Sequence, residues 1–121
     1  MKRRLAAVAV FLLLSPVAEA RDRVVDCAIL SLPGKAVQFK GKCNFMPEAG
    51  GSFSLADADG KPKLYGDIGV VSVTLTGKDT AEVSGLVIDS GGGHSSRWGT
   101  ARRAADDRAC WDGEDFRICA W

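Results

Sequence analysis

The stretch IGVVSVTLTGKDTAEVSGLVI, from Ile68 to Ile88, decides the fold. Taking Gly77-Lys78-Asp79 as a three-residue loop sets Thr76 opposite Thr80. Leu75 then faces Ala81, Val73 faces Val83, Val71 faces Gly85 and Gly69 faces Val87, so one face is wholly apolar or small. The other face pairs Thr74 with Glu82 and Ser72 with Ser84, then turns apolar with Val70 opposite Leu86 and Ile68 opposite Ile88. Side chains alternate with a period of two along a strand, so a slip of one residue would mix the faces. One register satisfies both runs, and the stretch is therefore predicted to be a β-hairpin. Its outer face, polar near the turn and apolar at the open end, suits strands that curl into a barrel or sandwich.

Outward from this hairpin the same grammar recurs. Arg23 to Leu32 and Ala36 to Phe45 are apolar-rich runs on either side of Pro33-Gly34, a turn dipeptide. Met46 to Gly51 reads as a loop, Ser52 to Leu55 as a brief strand and Asp57-Ala58-Asp59-Gly60 as a turn, with Leu64-Tyr65 opening another strand. Asp57 and Asp59 start a calcium-loop pattern, but the third acidic ligand and the closing Glu are missing. Ser90 to Ser96 is predicted to be a flexible glycine-rich loop, and the alanines of Thr100 to Asp107 permit one or two helical turns. Ala109 to Trp111 and Phe116 to Trp121 flank the turn Asp112-Gly113-Glu114-Asp115. The expected fold is all-β: a small antiparallel barrel or sandwich of about six to eight short strands, with at most one short helical segment near 100–107.

The first twenty residues are of another kind. Lys2-Arg3-Arg4 is a positive start, Leu5 to Leu14 an unbroken apolar run, and Ala18-Glu19-Ala20 a small-residue cleavage site. These are the parts of a secretory signal in their usual order. The expected organisation is a cleaved signal peptide over 1–20 and a single disulfide-stapled β domain over 21–121, placed in the periplasm or secreted. The apolar run is shorter than the roughly 20 residues of a membrane span, so no membrane attachment is expected after cleavage. The leader holds Lys2, Arg3, Arg4 and Glu19. The remaining 101 residues therefore carry 13 basic and 14 acidic side chains, against 16 and 15 in the whole chain. Nucleic acid is not an expected partner at that balance.

Cys27, Cys43, Cys110 and Cys119 all follow the predicted cut, and an even thiol count in a short exported domain points to disulfides. Each of the pairs Cys27 with Cys43 and Cys110 with Cys119 spans one predicted hairpin, so local pairing needs the least rearrangement. Loops of that size contribute about 3 kcal/mol each in the chain-entropy model. Crossed pairing, tying the first hairpin to the last, is the alternative. Zinc ligation needs closer Cys spacing, so neither a metal nor any other cofactor is expected.

Candidate functional residues cluster at His94, Ser95, Ser96, Arg97 and Trp98. Arg and Trp are the usual anchors of protein interfaces, and here they follow a glycine loop directly. A second reading makes His94 a general base for Ser95 or Ser96, oriented by Asp89. No nucleophile elbow or phosphate loop accompanies it, and no catalytic residue is assigned. Arg97, Arg102, Arg103 and Arg108 form a basic group expected to be balanced by Asp106 and Asp107. Three tryptophans fall in the last 24 residues, beside two of the cysteines, and are expected to pack over the disulfides and fill the core.

Gly41-Lys42-Cys43-Asn44-Phe45, Gly50-Gly51-Ser52-Phe53, Ala109-Cys110-Trp111 and Ile118-Cys119-Ala120-Trp121 together resemble a group of small exported cysteine-containing proteins of Gram-negative bacteria. In architecture the domain is also similar to periplasmic lysozyme inhibitors, which plug an enzyme cleft with an exposed loop. That resemblance transfers no site residues. A stapled scaffold presenting one Gly-rich loop beside Arg97 and Trp98, with no catalytic set, leads instead to the expectation of a non-enzymatic binding module acting through the 90–98 loop, with a protein as the expected kind of partner and its identity open. A small hydrolase using His94 and a structural protein of the cell envelope are the other functions the sequence leaves open.

Overall fold

A computed structural model describes residues 21–121, and the leader expected over 1–20 lies outside the described residues. Eight antiparallel strands form a closed barrel in which sheet order equals chain order. They are β1 (Arg23–Ser31), β2 (Ala36–Pro47), β3 (Phe53–Asp57), β4 (Ile68–Leu75), β5 (Thr80–Asp89), β6 (Gly92–Arg103), β7 (Cys110–Asp112) and β8 (Phe116–Ala120). A lone 3-10 turn, Ala49–Gly51, joins β2 to β3. Pairing of β1 with β8, from Cys27 opposite Ala120 to Ser31 opposite Phe116, closes the sheet on itself. The β1–β2, β3–β4, β5–β6 and β7–β8 connections share one end, here the upper end. The lower end holds the other three connections and both ends of the described chain.

The barrel interior follows from the period of two. Val25, Cys27 and Ile29 of β1, Leu55 of β3, Val71 and Val73 of β4, and Ile118 of β8 are buried in one apolar cluster. Trp111 is the largest side chain in it. Several inward positions of β5 and β6 are small (Ala81, Gly85, Ala101), which leaves volume for the indole rings.

The predicted hairpin register holds from Leu75 opposite Ala81 to Val70 opposite Leu86. Beyond that, Ile68 pairs with Val87 and not Ile88, because Gly69 is bulged out. A side chain at Gly69 would run into Ile88 and the Pro62 carbonyl, so the bulge is built on a residue without one. Two further expectations are corrected. Ser90 to Ser96 is not a flexible loop: β6 begins at Gly92 and pairs with β5, leaving only Ser90 and Gly91 between Asp89 and Gly92. Leu64-Tyr65 opens no strand but makes an isolated bridge, Tyr65 with Ile68, inside the β3–β4 connection. Over 100–107 the chain is strand as far as Arg103 and then turns, with no helix.

The two disulfides are Cys27–Cys43 and Cys110–Cys119. They sit on opposite sides of the wall. Cys27 and Cys43 belong to the interior cluster, whereas Cys110 and Cys119 form a small outer cluster with Ala28 and Ala104. Ala104 begins the 104–109 turn that covers this outer bridge. Arg117 holds that turn down, donating two hydrogen bonds to Asp106 at 2.9 and 3.0 Å and two to Asp112 at 2.6 and 2.8 Å.

Candidate functional site

Between β6 and β7 the wall is joined by two residue pairs only, Arg102 with Asp112 and Arg103 with Trp111. From Gly92 to Ala101, β6 has a strand partner on its β5 side alone among the described residues. That stretch is an open edge, a row of main-chain donors and acceptors of the kind that another chain can pair with. One bulge interrupts it. Val83 lies opposite Gly99 and Ser84 opposite Arg97, so Trp98 is the extra residue. Gly99 takes φ 114°, a backbone conformation that strains any residue with a Cβ.

The bulge re-aims Trp98 into the barrel mouth. Its indole lies across Gly85, where an added Cβ would meet the ring at 2.9 Å, and it stands edge-on to Phe116 with centroids 5.6 Å apart. Beside it opens a cleft of about 320 Å³ at the upper end of the barrel. Ile29, Tyr65, Trp98 and Phe116 supply its apolar lining, and Ser31, Gln38, Arg97 and Asp115 its polar one. Tyr65 stacks on Phe39, and burial pushes its phenol above the ordinary value, so it stays protonated as a donor. Gln38 donates to Ser31 Oγ at 3.3 Å, which ties the β1–β2 side together. The Arg97 side chain is 83% exposed and meets Glu82 at 3.5 Å, a weak surface pair that leaves the guanidinium available.

Of the five predicted residues, the structure brings Arg97 and Trp98 to this cleft and leaves His94 and Ser95 on exposed surface outside it. Ser95 and Arg97 line a separate hollow with Glu82 and Thr74 on the outer wall. Being consecutive on a strand, His94 and Ser95 point to opposite faces. His94 and Ser96 share a face, but two residues of extended chain separate them by about 7 Å. His94 Nδ1 lies 3.7 Å from Asp89 Oδ2, and no hydrogen bond joins the imidazole to either serine. Asp89 instead accepts from the Gly91 N–H at 2.8 Å and shapes the tight turn.

The basic group is also rearranged. Arg103 and Arg108 converge on Asp79, each at 3.3 Å, while Asp106 pairs with Arg117 and Asp107 accepts from the Trp121 indole at 3.0 Å. The expected balance by Asp106 and Asp107 is therefore corrected to one by Asp79 and Glu82. The β4–β5 turn brings Asp79 against the lower end of β6, a proximity set by sheet order. Tyr65, Asp115 and Phe116 were not among the predicted site residues, because they come from the β3–β4 connection, the β7–β8 connection and the start of β8. An aromatic beside Gly66 in a polar loop is the one signal that marks Tyr65.

The fold and site define a two-disulfide, eight-stranded up-and-down β-barrel with an aromatic mouth cleft and one open strand edge. Compared with known proteins, the chain matches no protein family, and no curated protein or solved structure is detectably similar to it. No helix among the described residues is long and apolar enough to cross a membrane.

Proposed function

We propose that this protein is a non-enzymatic binding module of the periplasm or extracellular space. It grips a protein partner through the upper part of the β5–β6 hairpin, residues 90–98. The observation that carries this reading is the coincidence of the open β6 edge with the aromatic cleft. An extended segment of a partner laid along Gly92–Ala101 would complete the main-chain hydrogen bonds of that edge. Its side chains would fall alternately toward Trp98 and Phe116 and toward solvent, with Arg97 fixing an acidic group at the rim. The tight Asp89–Gly92 tip, exposed beyond the cleft, is shaped to enter a concavity on the partner. Inhibition of a lysozyme-type enzyme is the specific form this takes, on the architectural likeness alone.

Export is supported by the leader and by four cysteines paired in two bridges, which persist in oxidising compartments. Fractionation of the native host, with sequencing of the mature N-terminus, should find the protein outside the cytoplasm and beginning at Arg21. Partner capture from periplasm and lysozyme inhibition should both be strong for wild type and weak for Trp98→Ala and Arg97→Glu. Arg97 is exposed enough to change without harm to folding. Equal binding and inhibition by wild type and Arg97→Glu would refute the surface. The hydrolase reading has His94 and Asp89 together but no nucleophile in contact with the imidazole. Turnover of an ester or amide substrate that disappears in His94→Ala would revive it.

A further inference from the structure

The lower mouth of the barrel has a different character, independent of the partner surface at the other end. A hollow of about 240 Å³ there is lined by Arg23, Arg103 and Arg108, with Phe45, Phe53 and Trp111 among its apolar walls and no carboxylate among the described lining residues. Two of the guanidiniums lie over aromatic rings. Arg23 lies 4.5 Å above the Phe45 ring, and Arg103 lies 4.2 Å above the Trp111 ring. A guanidinium over an aromatic ring gains cation–π attraction there and keeps N–H donors that the ring does not use.

The donors are only partly used. Arg103 spends Nε on Asp79 and one Nη1 hydrogen on the Arg108 carbonyl, at 3.3 and 2.8 Å. Arg108 spends one Nη2 hydrogen on the same Asp79 oxygen. The Arg23 side chain has no hydrogen-bonding partner among the described residues. Three positive charges thus share one hollow with one carboxylate at its edge, in a domain whose whole charge is close to neutral. Such convergence is unfavourable in an empty site and favourable once an anion neutralises it.

We infer that this hollow is a binding site for a small oxyanion of two or more negative charges, phosphoryl or polycarboxylate. The anion sits among the free edges of Arg23, Arg103 and Arg108, with its body against the aromatic wall. Arg23 is exposed and, alone of the three, has no side-chain hydrogen bond among the described residues, so its replacement tests the site with little effect on the fold. The experiment follows the arginine Nε–H and Trp111 indole N–H resonances of the full 21–121 domain during titration with pyrophosphate, and separately with citrate. The expected result is saturable, salt-sensitive shifts confined to Arg23, Arg103, Arg108 and Trp111, weakened about tenfold or more in Arg23→Gln. Lys63→Gln, at the opposite mouth, should bind as wild type does. Saturation by pyrophosphate alone assigns phosphoryl recognition, and saturation by citrate alone assigns carboxylate recognition. Non-saturating shifts that track ionic strength, or equal binding by Arg23→Gln, would overturn the inference.

Discussion

Replacing Gly85 with alanine tests the packing on which the upper mouth depends. Gly85 has an ordinary backbone conformation, so alanine fits the strand and even gains about 0.5–1 kcal/mol by restricting the unfolded chain. The cost lies in the side chain. The new methyl would stand 2.9 Å from both Cζ2 and Nε1 of Trp98 and 3.0 Å from Cε2, three atoms of one rigid ring. Ordinary carbon contacts are about 3.5–4 Å, so the indole must withdraw by roughly half an ångström or more. Phe116 packs edge-on against the same ring, so any shift of the indole disturbs that contact as well. Overpacking of this kind costs about 1–3 kcal/mol, which exceeds the backbone gain and leaves a net loss of about 1–2 kcal/mol. A domain of this size should melt about 5 °C or more lower, with a changed near-ultraviolet circular dichroism spectrum from the displaced indole. Trp98→Phe in the same chain should remove most of the penalty, giving a coupling near 1 kcal/mol in a double-mutant cycle. Wild-type stability and spectrum in Gly85→Ala would refute the placement of the ring. A penalty that persists in the Trp98→Phe background would refute its cause.

Three other perturbations have defined outcomes. Replacing Cys27 and Cys43 together by alanine releases a loop of 16 residues and should cost about 3 kcal/mol, read as a lowered denaturant midpoint. Arg117→Lys cannot reproduce the paired hydrogen bonds to Asp106 and Asp112. It should cost about 2 kcal/mol and, by freeing the 104–109 turn, speed reduction of Cys110–Cys119 under native conditions. Unchanged thiol-trapping rates would show that the turn does not guard the bridge. The Arg117 hydrogen bonds hold the Asp106 carboxyl below the usual carboxylate range. A depressed folded-state pKa stabilises the protein above the unfolded value of about 4, and that stability is lost as pH falls through the folded value. Asp106→Asn should therefore flatten the acid limb of the stability–pH curve, and an unaltered acid limb would contradict the pairing.

The hairpin could be read from the sequence because two strands imposed one register on each other through two faces of distinct polarity. The Gly69 bulge could not, since nothing local reveals that Ile88 and the Pro62 carbonyl crowd that position. β6 was missed for a related reason. Its inward positions carry serine, glycine and alanine, so the alternation that announces a strand is absent. The volume they leave is filled by Trp98 from a bulge and by Trp111 from β7. Cysteine pairing was legible because each pair spans a single turn, and the structure sets Cys110 directly opposite Cys119. The cleft was half legible: Arg97 and Trp98 come from one segment, but Tyr65, Asp115 and Phe116 reach it only through barrel closure. The pairing of Arg103 and Arg108 with Asp79 likewise depends on sheet order, not on proximity in the chain.

Sheet order that copies chain order has a consequence for how the protein is made. Each strand from β2 onward can pair with the one just completed, so most of the wall assembles from neighbours as the chain emerges. β1 is the exception, because its second edge waits for β8, the last strand to appear. Until the five residues Phe116–Ala120 arrive, β1 offers an unpaired edge, and the largest core residue, Trp111, lacks its covering strand. The final strand is the latch of the barrel, and the interval before it closes is when the chain is most open to pairing with a neighbour. A product cut short before Phe116 would keep the Cys27–Cys43 bridge yet remain in that open state permanently.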